Sequence, residues 1–273
     1  MPDAGAPIGV FDSGVGGLTV AKEIMSQIPN ERIIYFGDTA RVPYGSKSKT
    51  TITGFTRQII RFLMTQKVKA LVIACNTMSA YAIDEVEKEI SIPIIGVVKP
   101  GARVAAAQTK NKRIGVIATE GTIGSGMYQR FIANIDKDVL VLGKACPLFC
   151  PLVEEGMLDD PVTDEIARRY LKELMEKDID TLIMGCTHYP LLAPTLKKIV
   201  GEKVRLVNPA YETARELKEM LSDTGMLNPD DLAKQSKGHE FYVSDLADKF
   251  RLFAAKILDD PGLTTDKVDI EKY

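Results

Sequence analysis

Apolar and polar positions alternate along this chain in two rhythms. Short runs of consecutive apolar, largely β-branched residues fall at 8–12, 33–37, 70–74, 93–97, 114–118, 139–143, 181–185 and 204–208, and the stretches between them repeat apolar residues at helical spacing. A run apolar at every position reads as a strand buried on both faces. Helices between such strands are the crossovers that parallel pairing requires. The pattern predicts an α/β protein with mainly parallel sheets flanked by helices.

The pattern also repeats. Sliding Ile59, Ile60, Leu63, Met64, Val68, Leu71, Val72, Ile73 and Cys75 by 111 positions gives Tyr170, Leu171, Leu174, Met175, Ile179, Leu182, Ile183, Met184 and Cys186, apolar on apolar at each step. A second echo, offset by 106, carries Ile8-Gly9-Val10 onto Ile114-Gly115-Val116. Two similar domains follow, related by a pseudo-twofold arrangement with the active site in the cleft between them. The turn signal Lys99-Pro100-Gly101 and the join at Asn208-Pro209 set their bounds at 1–97 plus 209–273 and at 98–208. Residues 210–257 read as helix, loop, a strand near Phe241-Val243 and helix, packed back on the first half. The polar end, Asp259 to Tyr273, reads as frayed.

In open parallel sheets, ligands bind at the carboxyl ends of the strands, and Asp12, Tyr44, Cys75, Thr119 and Cys186 all follow predicted strands. Cys75 precedes a helix expected from Ser79 to Glu89. A helix N-terminus lowers a thiol from about 8.5 into the range of about 3.5–7.5. Its echo, Cys186, adds Thr187 and His188, a hydroxyl and an imidazole that can exchange protons nearby. Two thiols facing each other across a cleft offer one proton-transfer group on each side of one carbon, as stereochemical inversion requires.

Asp12-Ser13-Gly14-Val15-Gly16-Gly17 resembles a dinucleotide loop only in part. Thr19 stands where the third glycine should be, Asp12 would meet a pyrophosphate with a carboxylate, and Asp38 is the only other support. The better reading makes Asp12 a functional acid beside Cys75 and gives Ser13 and the glycine amides to an anion. Pro43, Tyr44 and Gly45 form a candidate wall of the site, and Glu154 with Glu155 reads as a solvated pair. Cys146 and Cys150, with Cys186 and His188, would make four zinc ligands, but Pro147 and Pro151 favour a plain turn and no second C-x2-C exists. His239 reads as merely exposed. No P-loop, H-E-x-x-H or pyridoxal-lysine pattern is present, so neither metal nor other cofactor is expected.

With 273 residues, 45% of them hydrophobic, and a net charge of -2, the chain is long enough for two cores and carries no charge bias toward nucleic acid or an anionic membrane. Four cysteines are too few for a disulfide scaffold. No apolar run approaches the roughly 20 residues of a spanning helix, and Met1 to Gly5 lacks a signal-peptide pattern, so the cytoplasm is the expected location.

The chain closely resembles the cofactor-independent glutamate racemases over nearly its whole length. The resemblance rests on Asp12-Ser13-Gly14-Val15-Gly16-Gly17-Leu18, Pro43-Tyr44-Gly45, Cys75-Asn76-Thr77, Ala145-Cys146-Pro147-Leu148-Phe149 and Gly185-Cys186-Thr187-His188, in that order. It implies two α/β domains and interconversion of L- and D-glutamate for peptidoglycan, with a homodimer as the expected assembly. It further implies that Cys75 takes the proton from D-glutamate and Cys186 from L-glutamate. By the same resemblance Asp12, Glu154 and His188 are auxiliary acid/base residues, and Ser13, Tyr44, Gly45, Asn76, Thr77, Thr119 and Thr187 bind substrate. Two positions depart from that pattern. Lys99 replaces a common glutamate, and Cys150 replaces a small aliphatic residue, read as a packing variant remote from the catalytic signatures. An aspartate racemase is the nearest alternative. A thiol oxidoreductase and a two-lobed binding protein are the rivals from other classes.

Overall fold

The computed structural model describes residues 3–229 and 238–273. A strand stands at each apolar run, its ends within two residues of the run: β1 (Ile8–Asp12), β2 (Ile33–Gly37), β3 (Ala70–Ile73), β4 (Ile94–Gly96), β5 (Arg113–Ala118), β6 (Leu140–Ala145), β7 (Thr181–Gly185) and β8 (Arg205–Val207). With β9 (Glu240–Val243) and β10 (Asp266–Lys267) they make two sheets, ordered β10-β9-β2-β1-β3-β4 and β6-β5-β7-β8, in which every pair is parallel. The order β2-β1-β3-β4 is therefore repeated by β6-β5-β7-β8. The repeat explains the sequence echo, since moving β4 by 111 positions lands on β8.

Each central strand feeds two cores, because successive side chains point to opposite faces. Ile8 and Val10 of β1 pack with the helices α1 (Leu18–Gln27), α10 (Pro209–Asp223) and α11 (Ala247–Leu258), while Phe11 packs on the other side with α2 (Lys49–Thr65) and α3 (Asn76–Val86). Burial on both faces is what confines polar residues to the ends of these strands, as at Asp12 of β1 and Thr181 of β7. The second sheet likewise sets Ile117, Leu182 and Met184 against α8 (Pro161–Glu176) and α9 (Ala193–Val200). Its other face, with Val116 and Ile183, joins the core of Phe11, so one apolar core runs through both halves. The bridge is α4 (Val98–Gln108), packed on α6 (Met127–Ile135), α10 and β7. Asn208 opens α10 by accepting the Ala210 N–H on its side chain, ahead of a proline that suits the first helical turn. Among the described residues no helix is long and apolar enough to cross a membrane.

The C-terminal stretch departs from expectation. Residues 259–273 are not simply frayed: β10 pairs with β9, Ile270 is buried in the core, and the Tyr273 ring meets Phe62 edge-on at 5.3 Å. The polar residues occupy the outer side of a sheet edge, and the anchors are too widely spaced to show as a run. His239 is likewise engaged, its Nδ1 accepting the Ile33 N–H at 3.2 Å. Replacing Ile270 by alanine is expected to cost about 2–5 kcal/mol, the usual cost of deleting a buried aliphatic side chain. Urea unfolding measures this, and a loss under about 0.5 kcal/mol, the surface-substitution range, would show a frayed end.

Candidate active site

The loops that follow β1, β3, β5 and β7 converge on one seam between the sheets. Asp12 ends β1 fully buried, one oxygen accepting the Gly14 N–H at 2.9 Å, while its Oδ1 has no hydrogen-bond partner among the described residues. Gly16 must be glycine: a Cβ there would stand 2.3 Å from Thr187 Oγ1 and 2.5 Å from His188 Nδ1. The glycine loop thus presses against the second half. Thr19, which spoils the dinucleotide pattern, donates its hydroxyl to the Thr187 carbonyl at 2.9 Å. Asp38 is committed to Tyr44, to Arg41 at 2.6 Å and to Ser244 at 2.8 Å. That structural role accounts for the residue and removes it from a nucleotide site.

Cys75 caps α3, which begins at Asn76 rather than Ser79, and its thiol donates to Ser13 Oγ at 3.7 Å. Asn76 accepts the Tyr128 hydroxyl of the second half on Oδ1 at 2.7 Å. Thr77 meets Thr119 at 2.8 Å and Thr122 at 3.1 Å, closing a triangle of hydroxyls across the seam. The Gly121 N–H donates to the Gly45 carbonyl at 2.8 Å, and a Cβ on Gly45 would come within 2.9 Å of Thr119 Cβ. Tyr44 is buried and Pro43 exposed.

On the opposite side Cys186 follows β7 and precedes a 3-10 turn, Tyr189–Leu192, that runs directly into α9. Its Sγ lies 3.8 Å from His188 Nδ1 and 3.5 Å from Cys150 Sγ. Cys150 is therefore a direct neighbour of a catalytic candidate, not a remote packing variant. It stands on α7 (Phe149–Glu154), the helix that also delivers Glu154 to His188 Nε2 at 3.0 Å. Glu154 is thus an ion-pair partner rather than half of a solvated pair. Cys146 points elsewhere, its thiol donating to the Lys144 carbonyl at 3.6 Å. Lys99 pairs with Glu87 at 3.5 Å and stands over the Phe131 ring. A cavity of about 500 Å³ runs alongside, sharing Gly14 and Glu154 with the site and walled by Leu246, Phe250 and Phe253.

Burial governs the thiols more than helix position does. It pushes Cys75 up to about 12, with the Asp12 charge adding to the rise and Cys186 adding further; the Met78 N–H and Ser13 pull the other way and lose. The expected lowering at the α3 N-terminus is therefore overridden, because taking a thiolate out of water costs more than one helix end returns. Cys186 is raised by its contact with Cys150, then by burial, while His188 opposes. Burial also raises Asp12. For His188 burial favours the neutral ring, yet Cys186, Glu154 and Asp12 together carry it up to about 10. The seam thus holds a carboxyl group near one thiol and an imidazolium near the other.

Sequence reasoning missed Tyr128, Thr122 and the Cys150 contact. The first two lie inside helices with no motif. Cys150 sat four residues from Cys146, a spacing that drew notice only for zinc.

The family model for Asp/Glu/hydantoin racemases matches residues 8–217. A glutamate racemase of Geobacter metallireducens is 51% identical over 239 residues, covering 88% of this chain and 87% of that protein. Among solved structures, the Bacillus anthracis glutamate racemase isoform RacE1 aligns with a TM-score of 0.92 at 42% identity over 97% of both chains. The Francisella tularensis glutamate racemase in complex with D-glutamate aligns at 0.91 with 39% identity, over 99% of this chain and 100% of that one.

The protonation of His188 is directly measurable, since the chain has only two histidines. Proton NMR of the imidazoles is expected to give His188 a midpoint near 10, and His239, lowered by partial desolvation and by the neighbouring Arg32 charge, one below 6.5. Because the folded value of His188 is raised, the stability it contributes is complete below 6.5 and is lost as pH rises through about 10. Glu154→Gln should lower the first midpoint and leave the second in place. A His188 midpoint at or below 6.5 would mean that burial wins.

Proposed function

The chain belongs to the Asp/Glu/hydantoin racemase family, and from that premise we propose that it interconverts L- and D-glutamate by two-base proton transfer between Cys75 and Cys186. The observation that carries this reading is the pair of buried thiols at equivalent points of two like sheets, each with its own titratable neighbour. Solved relatives include one in complex with D-glutamate, which supports the choice of substrate.

The α-proton of an amino acid is very weakly acidic, so the site must stabilise charge developing on the substrate carboxylate. Aimed donors in a dry cleft are worth roughly 3 kcal/mol each. Ser13, Asn76, Thr77, Thr119 and Thr187 are proposed to supply them. The Tyr128 hydroxyl occupies Asn76 Oδ1, which turns the amide NH2 outward as a donor. The hydroxyls of Thr77, Thr119 and Thr122 satisfy one another and can rotate toward a carboxylate. The orphaned Asp12 Oδ1 suits the substrate ammonium, whose charge would offset the cost of burying that carboxylate.

Each thiol has a helper of opposite character. For L-glutamate, Cys186 acts as thiolate beside the His188 imidazolium while Cys75 stays a thiol beside Asp12. For D-glutamate, Asp12 receives the Cys75 proton and Cys186 delivers its own. Glu154 holds His188 by Nε2 so that Nδ1 faces Cys186. Tyr44 and Gly45 wall the site, with Pro43 beside them. The proposed domains are 1–97 plus 209–273 and 98–208, with substrate held between them. The proposed setting is peptidoglycan precursor supply, which rests on the family resemblance, in the cytoplasm, with a homodimer as the assembly.

Cys75→Ala and Cys186→Ala are each expected to reduce racemisation by at least about 10²–10⁴-fold, the contribution of one positioned acid/base group. Cys146→Ser should remain active. Circular dichroism with L- and D-glutamate, and with L-aspartate as the control, follows the reaction without added cofactor. Racemisation by either alanine variant near the unsubstituted rate would sink the two-base reading.

Asp12 and His188 should assist opposite directions. Primary isotope effects with α-deuterated substrates are expected to shift in opposite senses for Asp12→Asn and His188→Asn. Identical profiles in both variants would leave these residues as props of the cleft.

A further inference from the structure

We propose that Cys150, Cys186 and His188 form a tetrahedral site for a thiophilic divalent cation of the Zn²⁺ type, and that the cation switches the enzyme off by occupying Cys186. The distances carry it. Zn–S bonds of about 2.3 Å and Zn–N bonds of about 2.0–2.1 Å at a tetrahedral angle separate two sulfurs by about 3.8 Å and a sulfur from a nitrogen by about 3.6 Å. Here Cys150 Sγ and Cys186 Sγ are 3.5 Å apart, Cys186 Sγ and His188 Nδ1 are 3.8 Å apart, and all three ligand atoms lie within 4.8 Å of one another. The remaining pair, Cys150 and His188, has to close from a separation of at most 4.8 Å to about 3.6 Å.

The surroundings match as well. A metal-bound histidine almost always gives its second ring nitrogen to a carboxylate that fixes the ring, and Glu154 already occupies His188 Nε2 at 3.0 Å. Both sulfurs and the imidazole belong to one half, on α7 and the β7 loop, so the site does not depend on contact between the halves. Cys146, bonded to the Lys144 carbonyl, stays outside it. The fourth position is left to water or a substrate carboxylate. Binding replaces the thiol and imidazolium protons with metal bonds and releases those protons to solvent. The cation is an inhibitor and not a cofactor, because it removes the base that faces L-glutamate. Its binding rests on geometry alone; only the inhibition rests on the racemase reading.

The test uses metal-free full-length protein under a phosphine reductant, with Co²⁺ as the spectroscopic probe. One equivalent should bring thiolate-to-cobalt charge-transfer absorption and the intense visible bands of a tetrahedral site, both displaced by Zn²⁺. Cys150→Val should weaken binding by at least about 100-fold, and Glu154→Gln by about 10–100-fold, as loss of an outer partner does. Cys150→Ser, which nearly keeps the side-chain volume, guards against misfolding and should also weaken binding, with about half the charge-transfer intensity per bound cobalt because only the Cys186 thiolate remains. Cys146→Ser should bind as the unsubstituted chain does. An octahedral spectrum without charge transfer, or equal affinity after Cys150→Val, overturns the site. Zn²⁺ should abolish racemisation reversibly to chelator, with glutamate protecting. A tetrahedral spectrum in a protein whose racemisation Zn²⁺ leaves intact overturns the inhibition and counts against Cys186 as a base.

Discussion

Two ionisable thiols share one nearly dry seam, and most of what surrounds them follows from the cost of charging either one. In water a thiol loses its proton near 8.5 whatever stands nearby. In the seam burial pushes Cys75 well above that, contact with Cys150 and then burial do the same to Cys186, and the reduced screening makes each neighbouring charge count for more. The protonation states are then set by a few named groups: Asp12 beside Cys75, and Cys150 with His188 beside Cys186. Water could not be excluded without close contact between the halves. That contact needs a glycine at position 16, where any side chain would strike Thr187 and His188.

The two halves are joined in two physically different ways. The apolar core that includes Phe11, Val116 and Ile183 crosses between them around α4, and burial of that kind does not reverse cheaply. The seam itself is held by polar bonds: Thr77 to Thr119 and Thr122, Tyr128 to Asn76, Thr19 to Thr187, Gly121 to Gly45. Each nets only about 0.5–1.5 kcal/mol, because water replaces it on opening. Several of these groups are also the donors a bound carboxylate would take. On the proposed reading, substrate binding would exchange partners on this one set of groups.

The strands were legible because most are buried on both faces, so that nearly every position had to be apolar, and their repetition made the second sheet readable from the first. β10 was not legible: two residues at a sheet edge leave no apolar run, and Ile270 and Tyr273 anchor it from a distance. At the site, Cys75 and Cys186 could be singled out because they follow matching strands and recur at the 111-residue offset, Asp12 because it ends β1 ahead of a glycine loop, and His188 only by standing two residues from Cys186. The direction of the Cys75 shift could not, since the helix N-terminus is visible in sequence while the burial that overrides it depends on the facing half. The Cys150–Cys186 contact was hidden for the same reason. Spacing along α7 says nothing about which loop of the neighbouring strand it meets.

The scaffold repeats, but the chemistry around the two thiols does not. Cys75 follows β3 and Cys186 follows β7, the matching strands of the two sheets. One caps an α-helix beside a carboxyl group, while the other precedes a 3-10 turn beside an imidazolium and a third thiol. Thermodynamics permits the difference. L- and D-glutamate have equal free energies in water, so the two values of kcat/KM are equal however unlike the helpers are. On the proposed mechanism inversion demands a proton-transfer group on each side of the reacting carbon, and the repeated strand order would put a thiol in each position. Under that proposed mechanism the loops around them are free to differ, provided each can hold its cysteine as thiol in one direction and thiolate in the other.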